Sequence, residues 1–461
     1  MVVMLALVAV YPASQIRTDF NLEGFYPKED PVIHNYEILE NEFGRDDNTI
    51  LIGFSDTNLI SEPVLTDLKA ITDSLQTIPY LESVRSLWNA TEINNRNGNL
   101  TFDDYLKDNR MNPDSLESVR NSLTEDPFLK GIFISEDLNA TAIYLEIRES
   151  ENTYSNRNEI IDAVNNILKP FSADYEFHIS GIPYYRNQYV NMLNEEIVVY
   201  IAISSILIIS LLWYLYRSIW GVLFPMIIVW ITLLLTIATM YLTGGYLEIM
   251  SSTIAPILLC VGVADAIHMI SKYDDGREHN MPKRRSILEM LKILGSATFL
   301  TSLTTAIGFA TLVSSNIIPM KRFGLYTAAG VLIAYLITIF FLPAALSKSK
   351  KDKVFSVKGS SLYDNLKWFL TKVSILNRRY YKRIVIGSLA LTAAIGAGMY
   401  NLEVNGRIFD DIDEDTEIMR DSRFFSQNLT PQFPMEFIFN SGEPDGVLKS
   451  KLMEDLKLFE N

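Results

Sequence analysis

One cysteine, Cys260, and four histidines are all that 461 residues offer as soft or imidazole ligands. A single cysteine excludes an intramolecular disulfide and any cysteine-built zinc or iron–sulfur centre. The chain also lacks a Walker loop, a Gly-x-Ser-x-Gly elbow and a His-Glu-x-x-His pair. Nothing therefore points to an enzyme or to a bound cofactor or metal. Positive charge is scarce as well: 40 Lys and Arg stand against 55 Asp and Glu, a net of −15. That balance argues against nucleic acid as the main partner. With 48% apolar and 21% charged residues, the chain is neither disordered nor collagen-like.

What is present is unevenly spread. Residues 12–196 carry 33 acids and 14 bases, and residues 401–461 carry 14 acids and 6 bases. Between them, residues 197–346 hold only 6 acids and 9 bases, and residues 347–383 hold 2 acids and 11 bases. Two acidic regions thus flank an apolar block with a basic rim. This is the layout of a polytopic membrane protein with soluble domains on one side.

The apolar block divides into membrane-length runs. Ile197–Tyr216 has 20 residues without a charge, about 30 Å of helix. Ile219–Thr243 comes after only Arg217 and Ser218, so the two form a tight hairpin. Met250–Ser271, Leu294–Ser315, Phe323–Leu346 and Ile384–Tyr400 are further spans. Few soluble helices stay apolar all round for this length. The basic loops Asp274–Lys292 and Ser347–Arg383 share a side if the spans alternate, and the excess of lysine and arginine makes that side cytoplasmic. A nucleic-acid or anionic-lipid site is the other reading of the basic run. The acidic region 12–196 is then outside.

Met1–Tyr11 is apolar but covers only about 16 Å. It has no basic n-region, and reads as the end of a first span rather than a signal peptide. The segment after the 384–400 span resembles the segment after Tyr11 at an offset of 386: Leu51–Ile52 meets Phe437–Ile438, Ser55 meets Ser441, and Glu29 meets Asp415. The expected organisation is residues 1–11, end of span one; 12–196, extracytoplasmic porter domain; 197–346, spans two to six. Residues 347–383 come next as a cytoplasmic loop, 384–400 as span seven, and 401–461 as the start of a second porter domain, in a natural protein nearly twice this size.

Within 12–196, Thr49–Ser55, Thr141–Ile147 and Tyr175–Ser180 read as strands. Leu65, Leu68, Ile71 and Leu75 recur at helical spacing, as do Ile160, Ile161, Val164, Ile167 and Leu168. Two strand–helix–strand units predict a ferredoxin-like α+β fold. Asn89–Asp114, rich in Asn and Asp, reads as a loop.

Ionisable residues within spans mark function. In the fourth span, Asp265 and His268 project about 60° apart on one helix face. A carboxylate there can exchange a proton, and the imidazole can pair with it or relay it. The bland reading is that Asp265 only locks helix packing. Gly262 would let a neighbouring helix approach the carboxylate closely. In the fifth span, Thr301, Thr304, Thr305 and Gly308 form a small-residue face that could accept the Asp265 helix. Hydroxyls bonded to their own helix backbone are the simpler alternative.

The words GVADAIHMISKY at Gly262–Tyr273, LTSLTTAIGFATL at Leu300–Leu312, FGLYTAAGVLIAYLITIFFLPAAL at Phe323–Leu346 and ISGIPYYRN at Ile179–Asn187 resemble the resistance–nodulation–division superfamily. The likeness is to its MMPL-type and hydrophobe/amphiphile exporters, and more distantly to Patched and sterol-sensing proteins. It implies a bacterial inner-membrane transporter that exports a lipid or other amphipathic molecule at the expense of protons. It also implies a partner repeat, and homo-oligomers or accessory export proteins are compatible with it. Asp265 matches the coupling acid, with His268 beside it. Many relatives carry that acid where Ala264 stands, a departure that turns the side chain by about 100°. A lipid sensor and a protein-secretion motor are the competing readings.

Overall fold

The computed structural model describes residues 2–19, 23–27, 31–43, 47–96, 99–106, 113–125, 129–349, 354, 361–401 and 416–429. Contacts divide the chain into two compact units. The helix unit is Met1–Lys28 with Tyr189–Asp411, and the sheet unit is Glu29–Gln188 with Ile412–Asn461.

Helix α1 (Val2–Ser14) belongs to the helix unit. The sheet unit begins with α2 (Pro31–Phe43), β1 (Thr49–Ser55), α3 (Glu62–Leu75) and β2 (Leu81–Arg85). A hairpin of β3 (Thr91–Arg96) and β4 (Asn99–Asp104) comes next, then α4 (Pro113–Glu125) and β5 (Ala140–Ile147). The unit continues with α5 (Tyr154–Leu168) and β6 (His178–Ser180). The four-stranded sheet has the order β2-β5-β1-β6, and every neighbouring pair is antiparallel.

Alternation along the strands assigns the two sheet faces. Ile50, Ile52 and Phe54 of β1 join Ile143, Leu145 and Ile147 of β5 in one core with Leu65, Leu68, Ile71 and Leu75 of α3 and Ile160, Ile161, Val164 and Leu168 of α5. The segment Asn89–Asp114, expected as a loop, instead holds the β3–β4 hairpin, in which Arg96 pairs with Asn99. The sequence Asn-Gly is a dipeptide that favours tight hairpins, a signal overlooked amid the polar composition of 89–114.

The opposite sheet face presents small residues. Gly53 pairs across the sheet with Ala142 on one side and His178 on the other. Helix α12 (Glu417–Asn428) packs on this row, burying Phe425 against Ala142 and Leu51. A Cβ at Gly53 would lie 2.6 Å from Phe424 Cε1, so glycine is what lets the helix this close. The helix comes from the segment 401–461, expected to open a second porter domain, yet it belongs to the same unit as the first sheet. The second-copy strand around Phe437–Ile438 lies outside the described residues.

Strand β6 ends at Gly181, whose φ of +105° suits glycine; a Cβ there would meet the Thr49 carbonyl oxygen at 2.1 Å. From it springs α6 (Ile182–Tyr216), the first of five helices long and apolar enough to cross a membrane. The others are α7 (Ile219–Leu242), α8 (Ile254–Glu278), α9 (Lys283–Ala310) and α10 (Ile318–Lys348). These five overlap the second to sixth spans read from the sequence, with 3-10 turns over Ile249–Thr253 before α8 and Thr311–Ser314 after α9. Helix α10 packs against α7, α8 and α9, and α1 packs on α7. Ile384–Gly398 forms the end of α11 (Ser361–Gly398), a helix that starts well before the expected span.

The helix unit buries polar side chains and exposes apolar ones. Thr232, Thr236, Thr298, Ser302, Thr327 and Thr338 are buried, while Val198, Ile206, Leu207, Leu223, Phe299 and Leu300 are exposed. A lipid environment permits this inversion, because the hydrocarbon outside is as apolar as leucine.

Candidate functional site

The most unusual polar group of the helix unit is Asp265. It is only 7% exposed, midway along α8, among Leu258, Gly262, Ala266 and Met269. Ser302 Oγ of α9 donates to Asp265 Oδ2 at 3.1 Å. Among the described residues, no lysine, arginine or histidine forms an ion pair with this carboxylate. Gly262, one turn earlier, allows the approach of α7: a Cβ there would stand 3.0 Å from Val229 Cγ2 and 3.9 Å from Ala334 Cβ. Helices α7, α9 and α10 therefore close around the Asp265 region of α8.

The remaining sequence candidates take other places. His268 is exposed on α8, as are Ala264 and Cys260 at four-residue spacing before it. On α9, Thr301 and Thr304 and Gly308 are exposed and Thr305 is half-buried. Thr301 donates to Thr298 O at 2.9 Å, while Thr304 and Thr305 donate to Thr301 O at 2.9 and 2.8 Å. These hydroxyls thus bond their own backbone, and nothing lies within 4 Å of a Cβ built on Gly308. The expected helix-accepting face is consequently displaced: the buried row of α9 is Gly295, Thr298, Ser302 and Ala306. Its signal was in the sequence as small residues at spacings of three, four and four, which put them along one stripe.

Two ionic clusters have no counterpart among the sequence expectations. At the start of α10, Arg322 pairs with Glu248 and lies 4.3 Å over the Tyr246 ring. Burial raises the Glu248 carboxyl above its ordinary range, against the pull of the guanidinium. Asp19, Gly24, Phe25 and Pro319 join these residues around a cavity of about 110 Å³. In the sheet unit, Asp421 of α12 accepts from Ile179 N at 3.1 Å and pairs with His178 Nδ1 at 2.9 Å. The His178 ring stacks on Phe424 at 4.2 Å. Residues distant in sequence build both clusters, so no local spacing announces them. Among the described residues, no group of three or more His, Cys, Asp or Glu is placed to hold a metal ion.

A bundle of long apolar helices holds a buried carboxylate bonded to a hydroxyl, in one chain with an α+β unit. The model of the MMPL family matches residues 61–358. The chain belongs to the MMPL family. The match begins in the sheet unit and runs through α10, so it includes Asp265 and Ser302. Among curated proteins, the membrane protein MJ1562 of Methanocaldococcus jannaschii is 24% identical over 358 residues, 75% of this chain and 88% of that protein. Dispatched homolog 3 of Mus musculus is 36% identical over 101 residues, 22% of this chain and 7% of that protein. The Homo sapiens protein of the same name is 35% identical over 101 residues, 22% of this chain and 7% of that protein. An MMPL family member with five membrane-length helices is a multi-pass membrane protein of the transporter type for hydrophobic molecules.

Proposed function

We propose that this protein uses a proton gradient to move a lipid or other amphipathic molecule out of a bacterial inner membrane. The observation that carries the reading is Asp265, a buried carboxylate whose partner in the bundle is a hydroxyl rather than a cation. Charges inside spans are costly and are kept where an ion path needs them. Protonation and release at Asp265 change the charge that α8 presents to α9. Ser302 can donate to the charged form and accept from the neutral one, so the contact survives both states while its geometry shifts. His268, one turn away and exposed, is the group through which the proton enters or leaves.

The sheet unit is the porter module of this transporter, on the side away from the cytoplasm. Its order β2-β5-β1-β6, with α3 and α5 as crossovers, supports a ferredoxin-like fold. The basic loops after α8 and α10 support the orientation. No catalytic role is assigned. The chain is placed in vesicles carrying a fluorescent phospholipid, and an imposed pH gradient drives flux. Flux should follow the gradient and fall at least about tenfold in Asp265→Asn, a barrier change of about 1.4 kcal/mol. Gradient-driven flux undiminished by the substitution would overturn the proton role. Lipid binding without any flux would favour a sensor.

A further inference from the structure

Residues 361–383 of the basic segment before Ile384 are helical. Helix α11 runs from Ser361, and its backbone breaks once, at Tyr380, with φ −122° and ψ 23°. Ile384–Gly398, after the break, has no charged residue; residues 367–383 contain eight aromatic or aliphatic side chains among six cations. Helical geometry sorts these residues by face. Lys367, Thr371, Ser374 and Arg378, spaced four, three and four, form a polar stripe. Phe369, Val373, Leu376 and Tyr380, with the same spacing, form an apolar stripe roughly 200° around the axis. Lys372 and Arg379 border the apolar stripe, where long stems can lie along it with their charges at its edge.

Neither stripe is covered by the described residues. Phe369 is 56% exposed and Leu376 54%. Among the described residues, Lys367, Lys372, Arg378, Arg379, Lys382 and Arg383 form no ion pair with an acid, although acids outnumber bases in the whole chain. The cations lie instead over neighbouring rings: Lys372 over Trp368 at 5.7 Å, and Arg379 and Arg383 over Tyr380 at 5.5 and 5.6 Å. Ser374, Ile375, Arg378 and Arg379 line a groove of about 380 Å³, with two guanidinium groups and a hydroxyl beside an aliphatic side chain.

We infer that residues 367–380 of α11 form a surface-bound helix that recognises anionic lipid headgroups, with Tyr380 as the turn from the membrane surface into the span. Charge complementarity selects the occupant. Six cations with no acid partner among the described residues fit a phosphate-bearing surface, and the apolar stripe fits the acyl boundary just beneath it. Covalent continuity with the uncharged Ile384–Gly398 segment holds the helix at that boundary. An acidic protein segment would meet the charges but leave Phe369, Val373 and Leu376 in water. The inference requires membrane insertion and is independent of proton-driven transport.

The test is amide hydrogen exchange of the full chain in nanodiscs, either zwitterionic phosphatidylcholine alone or with about 30% phosphatidylglycerol, a range in which surface charge attracts polybasic helices. Exchange in residues 367–380 should be at least about tenfold slower with phosphatidylglycerol and should lose that gain in high salt. The combined Lys367→Gln, Lys372→Gln, Arg378→Gln and Arg379→Gln variant should exchange equally fast in both discs, while α7 to α10 stay protected. Equal exchange of the unaltered chain in both lipids would overturn the proposal. So would a lipid effect that survives the combined variant. Slowing by inorganic phosphate alone in phosphatidylcholine discs would assign the groove to a free anion instead. None of these outcomes depends on flux, so the transport reading stands or falls separately.

Discussion

Two buried aspartates show how differently the two units treat a charge. Asp47, in the sheet unit, is 3% exposed and receives Arg186 Nη2 at 2.8 Å. Asp265, in the helix unit, is 7% exposed and, among the described residues, receives the Ser302 hydroxyl and no cation. Equal burial therefore does not mean equal purpose. A carboxylate matched with a guanidinium is held in one charge state and fixes structure. A carboxylate matched with a hydroxyl, which can donate or accept, leaves its charge free to change. Asp421, bonded to His178 and the Ile179 amide, also has a structural part and fixes α12 to the sheet.

The largest expected effect breaks the first kind of contact. Arg186→Met should lower the stability of the sheet unit by about 3–5 kcal/mol, because it takes the guanidinium away from a buried carboxylate. Denaturant unfolding tracked by near-ultraviolet signals of that unit measures it. Asp265→Asn in parallel should leave the unfolding midpoint unchanged or raised. A loss as large as that of Arg186→Met would make Asp265 a structural group like Asp47.

Next in size is the removal of an apolar anchor. Phe425→Ala should cost about 3–4 kcal/mol in the attachment of α12, the range for truncating a buried aromatic. Limited proteolysis should then cut within 416–429 well before the sheet is attacked. Unchanged protection would mean that the Asp421 contacts alone hold the helix.

Much of this arrangement is legible in the sequence. Length and absence of charge locate α6 to α10, and alternation locates β1 and β5, because burial against one neighbour leaves a local period. Asp265 stands out because a charge in an apolar run is locally anomalous. Which surface each face meets is not legible. Gly53 looks like an ordinary strand glycine until α12, more than 360 residues later, lies on it. Thr301 and Ser302 are adjacent hydroxyls of similar chemistry, and only helix rotation decides that Ser302 meets Asp265 while Thr301 faces outward. Strand β2 escapes notice because its sequence, LESVR, alternates with too few strong β formers.

A smaller effect extends the comparison to a half-buried acid that forms no ion pair with a cation among the described residues. Burial pushes the Tyr144 phenol up to about 12, and its hydroxyl donates to the Ile132 carbonyl at 3.0 Å. The folded form thus stays neutral where the unfolded chain ionises, near the ordinary value of about 10. Its stabilising contribution is complete below that value and is lost as pH rises from about 10 to 12, amounting to about 1–3 kcal/mol. Tyr144→Phe should remove that part of the alkaline loss, leaving the shares due to Tyr175 and Tyr184, whose phenols burial also raises. Identical alkaline curves for the two proteins would show that Tyr144 is solvated.

The smallest effect tests the hydroxyl itself. Ser302→Ala deletes the donor to Asp265 and leaves the carboxylate and helix packing in place. A single hydrogen bond contributes about 0.5–1.5 kcal/mol, so gradient-driven flux should fall about two- to tenfold and its pH midpoint should move. Ser302→Thr should restore both, since it keeps a hydroxyl at the buried position. A fall in flux with a fixed pH midpoint would mean that Ser302 acts through packing, like its neighbours Thr298 and Ala306. The distinction between Asp47 and Asp265 would then rest on the missing cation alone.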